Sequence, residues 1–145
     1  MTFYPAYGIL KTVNAKGKSA VISIDRFEEI LGELAEELPA EFYHGLNGGI
    51  LVEDRHPLHP TDVDGDLYIL GEYRIDPAMG RCIILYYGSF RRVFRHLDED
   101  ALREEMRKVL RHEFRHHIEG RAGVRDLEEW DAEQIRAYHA RKCEN

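Results

Sequence analysis

The chain has 145 residues, of which 43% are hydrophobic and 32% are charged, and this balance predicts one globular domain. Its net charge of -7 argues against nucleic acid as a partner, because phosphate binding requires a basic protein surface. Neither an apolar run of about 20 residues nor a signal-peptide pattern occurs, so we expect no membrane association. Cys82 and Cys143 do not form a disulfide framework, and we therefore expect a cytoplasmic protein with ordinary thiols.

Regular periodicity begins only after the first twenty residues. We interpret 1–20 as a loosely ordered N-terminal extension and 21–145 as a single domain. The first clear element is a helix from about Ser23 to Leu38, which Ser23 or Asp25 can cap and which Pro39 ends. Its apolar residues recur with the spacing of an amphipathic helix: Phe27, Ile30, Leu31, Leu34 and Leu38.

A short helical turn and three strands follow. The strands are predicted at residues 50–53, 67–75 and 82–87. The second and third are joined by a Pro/Gly turn at 76–80, which predicts an antiparallel hairpin. We expect the third strand to form the edge of the sheet that an extended substrate would follow. Tyr86 and Tyr87 alternate along it, so one should face the core and the other a cleft or solvent.

The longest predicted helix runs from about Asp98, a capping residue, to Glu119 or Gly120. At about 100° per residue, one narrow stripe of this helix contains five residues: Leu102, Met106, Val109, Glu113 and His116. A last helix begins near Asp126. Together these elements predict an α+β fold in which a small, mostly antiparallel sheet packs against the long helix.

The end of the long helix carries the motif His-Glu-Phe-Arg-His at 112–116. Residues four apart lie on one helix face, so His112 and His116 can offer two imidazoles to one metal ion. Glu113 lies on the neighbouring flank, where its carboxylate can deprotonate a water without being a ligand itself. Two helical histidines, a carboxylate base and a third ligand from further along are the arrangement of zinc hydrolases. His117 points about 100° away from His116, so we expect it to pack rather than to bind the same metal.

With these elements placed, the chain resembles the small bacterial zincin-like metallopeptidases, or minimal zincins, over about residues 21–138. The segments that carry the likeness are 46–49, 65–73, 84–90 and 110–117. The resemblance implies a compact α+β fold and a mononuclear zinc site. It also implies a peptide or protein substrate, because members of that family are mostly assigned as peptidases.

The third zinc ligand is where the sequence departs from the family pattern, which is close to HExxHxxGxxD. Here Glu119 stands three positions after His116, and the GxxD ending recurs at 123–126, as if one helical turn had been inserted. The likeness therefore implies Asp126 as third ligand. Glu119, on the edge of the histidine face, is an equal alternative, and Asp131, one turn into the last helix, is a further option.

The sequence thus predicts a zinc-dependent metallopeptidase. Zn²⁺ held by His112, His116 and one downstream carboxylate would polarise the scissile carbonyl and lower the pKa of water toward about 7. Glu113 would accept the water proton and pass it to the leaving amine. A protein of another class, a zinc-stabilised non-catalytic binding or regulatory module, would keep these ligands without turnover. Measuring zinc content and peptide cleavage on one sample separates the two.

Overall fold

A computed structural model describes residues 2–5, 22–122 and 126–143 of the chain, with the side chains of 22–121 and 131–143. In chain order its elements are β1 (Thr2–Pro5), α1 (Ile24–Glu36), the 3₁₀ helix η1 (Ala40–Tyr43), β2 (Gly49–Glu53), β3 (Leu67–Asp76), β4 (Gly80–Tyr86), α2 (Tyr87–Val93), α3 (Glu99–Ala122) and α4 (Asp126–Cys143). The predicted α+β class is confirmed. None of the described helices has the length and hydropathy to cross a membrane.

The sheet is small and mixed, with the strand order β1-β3-β4-β2. β3 is antiparallel to both β1 and β4, whereas β2 is parallel to β4. The expected hairpin is present, but β4 returns into the space between β3 and β2. Two of the three pairings are therefore antiparallel, and the third, between β2 and β4, is parallel.

The expectation that the third predicted strand forms the sheet edge is wrong. That strand is β4, which is paired on both sides. Its last five residues, 82–86, are all buried, so both faces of the strand are covered. The expectation for its tyrosines is wrong as well: Tyr86 and Tyr87 are 2% and 6% exposed. The Tyr86 hydroxyl donates to Glu72 (2.7 Å) and the Tyr87 hydroxyl donates to the Ile22 carbonyl (2.5 Å).

Four residues of the predicted extension belong to the sheet. Thr2–Pro5 form β1, which pairs with β3 between Leu67 and Gly71. The remainder of 1–20 lies outside the described residues.

The main core lies between one face of the sheet and the helices α1, α2 and α3. α1 begins after Ser23, whose Oγ accepts a hydrogen bond from the Arg26 amide (3.1 Å). It buries four of the five residues of the predicted stripe, namely Phe27, Ile30, Leu31 and Leu34. The fifth, Leu38, lies beyond the last residue of α1 and is partly buried. α3 buries its own apolar series against the same core: Leu102, Met106, Val109, Leu110 and Phe114. Each such side chain contributes about 1.5–3 kcal/mol, so this packing fixes where α3 lies.

The closest approach of α3 to the sheet is at Gly71 in β3. A Cβ atom there would lie 2.7 Å from Cγ1 of Val109 and 3.4 Å from Cγ of Glu113. The missing side chain therefore allows the helix to lie directly on the strand. This contact places Glu113 of the metal motif against the sheet.

Ion pairs line the exposed seam between α1 and α3. They are Arg26 Nε–Glu99 Oε1 (2.7 Å), Arg103 Nη1–Glu33 Oε2 (2.6 Å) and Arg107 Nε–Glu37 Oε2 (2.9 Å). Such solvent-exposed pairs contribute little individually, so the apolar core determines the packing of the two helices.

Candidate metal centre

The two histidines of the motif lie side by side near the end of α3. Helix α3 starts after Asp98, whose Oδ1 accepts from the Ala101 amide (2.8 Å), and it continues unbroken through the motif. The rings of His112 and His116 have centroids 4.9 Å apart and planes at 77°. Their side chains are 15% and 12% exposed. The i, i+4 spacing therefore delivers two imidazoles to one partly buried position, as the sequence predicts.

A carboxylate from α4 meets both rings. Oδ2 of Asp131 accepts a hydrogen bond from Nε2 of His116 at 2.9 Å, and Oδ1 lies 3.2 Å from Nε2 of His112. Ligand atoms about 2.0–2.1 Å from a tetrahedral zinc ion lie about 3.3 Å from one another. Each of the two histidine–aspartate contacts is therefore close to the separation of two ligands of one metal ion, although each uses a different oxygen of Asp131.

The environment of Asp131 keeps its carboxylate charged. Burial by itself raises the pKa of Asp131, but the hydrogen bonds from His112 and His116 outweigh this effect and lower the pKa to about 2. The group is therefore ionised at neutral pH. The ionised Asp131 carboxylate therefore places a negative charge next to the position that a cation would occupy.

Glu113 is fully buried beside these residues, at 0% exposure. One of its carboxylate oxygens and one ring nitrogen from each of His112 and His116 lie within 4.8 Å of one another. The stripe predicted from the sequence explains this burial, because Glu113 follows Val109 on the face of α3 that contacts β3. A carboxylate at this distance could bind a metal ion held by the two histidines or reach a water on that ion.

The three carboxylates predicted as possible third ligands differ in their surroundings. Glu119 accepts from Arg115, with Nη2 and Oε1 3.4 Å apart. Among the described residues, neither Glu119 nor Asp131 belongs to the group that the three motif residues form. The side chain of Asp126 is outside the described residues. Asp131, the option that sequence reasoning placed behind the other two, is the carboxylate that contacts both imidazoles.

His117 is directed away from the metal position, as expected, but it does more than fill space. Its Nδ1 accepts from the Tyr73 hydroxyl (2.9 Å) and its Nε2 donates to the His44 carbonyl (2.9 Å). Burial lowers the pKa of His117 despite the hydrogen bond to His44, so the ring is neutral. Arg81 in turn donates to Tyr73 (2.9 Å). The ring thus ties the motif end of α3 to β3 and to the loop after η1.

The sequence analysis missed the contacts that hold α4 in place. Tyr138 is fully buried, and its hydroxyl donates to Oδ1 of Asp66 (2.9 Å). Lys142 lies next to the same carboxylate, with Nζ 2.8 Å from Oδ2. The only signal was the spacing of Asp131, Tyr138 and Lys142 at i, i+7 and i+11, which places the three residues on one helix face.

Fold and site together define a class of protein: an α+β domain whose long helix presents a two-histidine, one-carboxylate cluster beside a buried glutamate. No family model matches the chain, and no curated protein matches it. A solved structure does, that of a conserved hypothetical protein from Thermus thermophilus. The two share 34% sequence identity over 70% of this chain and 98% of that one, with a TM-score of 0.57. The chain belongs to the same family as that protein.

Proposed function

We propose that this protein is a zinc-dependent hydrolase and that peptide bonds are its substrates. The observation that carries the proposal is the convergence of His112, His116 and Asp131 next to the buried carboxylate of Glu113. The resemblance of the sequence to minimal zincins, read from the motif and the flanking segments, points to the same chemistry. A peptide or protein is accordingly the proposed partner.

The donor set fits zinc better than a hard cation. Two imidazole nitrogens with one carboxylate oxygen form a ligand set used by catalytic zinc sites, which leave a fourth position for water or substrate. Calcium and magnesium prefer oxygen ligands, often with several waters, and the imidazoles of His112 and His116 do not suit them. The ionised state of Asp131 completes a site with one negative charge for a divalent ion.

In the proposed reaction a bound zinc ion would supply Lewis acidity toward the scissile carbonyl and toward water. Glu113 would accept the proton of the attacking water on a carboxylate oxygen. It would then donate that proton to the leaving amine nitrogen as the peptide bond breaks. The close approach of β3 at Gly71 would hold the Glu113 side chain in place, which limits its loss of entropy in the reaction.

The test combines metal analysis with cleavage of a peptide library. We expect about one zinc per chain in the parent protein, and loss of that zinc in His112→Ala and His116→Ala. Glu113→Gln should retain the zinc and lose at least about 100-fold in hydrolysis, because the amide cannot accept the proton. Equal cleavage by parent and Glu113→Gln would contradict the proposed role of Glu113.

A second candidate is a zinc-stabilised module that binds a partner without cleaving it. The enclosure of the site favours this alternative: Glu113 is fully buried, and the Asp131 side chain is 17% exposed. A zinc-loaded protein that unfolds at lower temperature after chelation, and that cleaves no peptide in the library, would support this candidate instead.

We also propose a reducing compartment, the cytoplasm, as the location of the protein. Among the described residues Cys82 and Cys143 are both free thiols, one buried and one exposed. Burial raises the pKa of Cys82, which keeps this thiol protonated and unreactive. Free thiols of this kind are common where glutathione keeps proteins reduced.

A further inference from the structure

The C-terminal half of α4 is docked on an acidic loop that precedes β3. The Tyr138 hydroxyl donates to Asp66 (2.9 Å) and accepts from the Val63 amide (3.1 Å). Nζ of Lys142 lies 2.5 Å from Oδ2 of Asp64 and 2.8 Å from Oδ2 of Asp66. The ammonium group also lies 5.5 Å from the centre of the Tyr138 ring. We call Tyr138 and Lys142, with the loop 62–66 that receives them, the α4 latch.

The receiving loop is itself held in shape. Asp62 accepts three backbone hydrogen bonds, from the amides of Gly65 (2.7 Å), Asp66 (3.0 Å) and Leu67 (2.9 Å). Leu67 is the first residue of β3, so the loop is a direct continuation of the sheet. The latch therefore connects α4 to a fixed part of the fold rather than to a free surface segment.

The described side chains of α4 bury little surface besides the Tyr138 ring. Among its side chains from 131 to 143, Tyr138 alone is buried. Asp131 lies seven residues before Tyr138, about 10.5 Å along the helix axis, and on the same face. The latch residues thus cannot touch a metal at His112 and His116, but they set the position of the helix that carries Asp131.

We propose that Tyr138 and Lys142 are positioning residues of the metal site: by docking α4 on the loop 62–66, they hold Asp131 against the two imidazoles. This inference rests on the proposed function, because it takes Asp131 as a ligand. The apparent dissociation constant of a site rises as the fraction of molecules in the competent arrangement falls. If loss of the latch leaves α4 docked in about one molecule in ten, zinc binding weakens about tenfold.

The experiment measures the zinc affinity of the full chain by competition with a chromogenic chelator. We expect Tyr138→Phe and Lys142→Met each to weaken zinc binding by about 10-fold or more, a range typical of groups that orient metal ligands. Lys142→Arg, which can still pair with the aspartates, should restore the affinity. Arg136→Met removes a positive charge from an exposed position of the same helix, and as the matched control it should bind zinc like the parent.

A double-mutant cycle separates positioning from a general loss of stability. In an Asp131→Ala background, Lys142→Met should cause no further loss of zinc affinity, because the ligand that it positions is absent. With Co²⁺ in place of zinc, the visible spectrum of Lys142→Met should shift toward that of Asp131→Ala. Latch variants that bind zinc like the parent, or a further loss in the Asp131→Ala background, would overturn the inference and leave the metal site intact. A parent protein that binds no zinc would overturn both.

Discussion

Helices α3 and α4 meet at the same site but are held by different forces. α3 carries both histidines, and a continuous apolar face, with Val109 and Phe114 fully or almost fully buried, fixes it against the sheet. α4 carries Asp131, and its described part is held by one buried ring, that of Tyr138, together with the polar contacts of Tyr138 and Lys142. Apolar packing is non-directional and is not weakened by electrostatic screening, whereas polar contacts depend on geometry and ion pairs are screened by salt.

This difference implies that the two helices affect the site in different ways. The imidazole pair should persist whenever the domain is folded, because moving it would require the core to open. The carboxylate should depend on whether α4 is docked. Metal affinity is then the property through which the two helices can be compared, since in the proposed site α3 would supply a rigid pair of ligands and α4 an adjustable third.

The largest effect on stability should come from the core side of α3. Phe114 is 1% exposed, and its ring centroid lies 5.0 Å from that of Tyr43. Phe114→Ala should lower the free energy of unfolding by about 3–5 kcal/mol, through lost burial and the cavity that remains. Tyr138→Phe, which removes only a hydroxyl from α4, should cost about 1 kcal/mol. Denaturant unfolding of the two variants measures both values, and similar losses would remove the proposed distinction between the helices.

A second test concerns the contact that seats α3 on the sheet. Gly71→Ala introduces a methyl group 2.7 Å from Val109, and the overpacking should cost about 1–3 kcal/mol. Because Glu113 lies next to the new methyl group, we expect hydrolysis to fall while the zinc content is retained. The matched control is Gly32→Ala in α1, where a Cβ meets nothing within 4 Å. Removing a glycine from that helix should stabilise it by about 0.5–1 kcal/mol. A Gly71→Ala protein as stable as the parent would show that the helix can move away from the strand.

The same contrast explains how much of the fold could be predicted from the sequence. The helices α1 and α3 were predicted closely, because burial of one face imposes a 3.6-residue period that is visible locally. The order of the strands in the sheet was not predicted, because strand pairing joins residues that are far apart in the chain. The central position of β4 did have a signal: the run at 82–87 is apolar without alternation, which is typical of a strand buried on both faces. Nothing local indicates that β2 is parallel to β4.

The candidate site also has a part that could be predicted from the sequence and a part that could not. His112, Glu113 and His116 could be predicted because one helical turn brings them together, and that geometry follows from spacing alone. Asp131 could not be chosen over Glu119 or Asp126, since the choice depends on how α4 packs. That packing is fixed by Tyr138 and by the loop before β3, more than 60 residues earlier in the chain.

A smaller effect is expected at the loop that receives α4. Burial by itself raises the pKa of Asp62, but three backbone amides and the Tyr138 hydroxyl outweigh this effect and lower it. Because the folded-state pKa lies below the unfolded value of about 3.9, the ionised carboxylate stabilises the fold above about pH 4. That stabilisation is lost as the pH falls through the folded-state pKa. Asp62→Asn should therefore cost about 1 kcal/mol at pH 7, and its difference from the parent should shrink below about pH 4. A difference that stays constant down to about pH 2.5 would mean that the charge of Asp62 has no part in holding the loop.

The smallest effect should come from the seam between α1 and α3, and it provides the sharpest comparison with the latch. Arg103 and Glu33 form an ion pair of 2.6 Å, but the Glu33 side chain is 53% exposed. Glu33→Gln should therefore cost only about 0.2–1 kcal/mol, and less in about 1 M salt, where charges are screened beyond about 3 Å. Zinc affinity should not change, because the apolar core holds α3 whether or not this pair is present. Lys142→Met removes two ion pairs, with Asp64 and Asp66, from α4, whose described side chains bury only Tyr138. There we expect the affinity to fall. Equal zinc affinities for Glu33→Gln and Lys142→Met would mean that α4 is held by something other than its polar contacts.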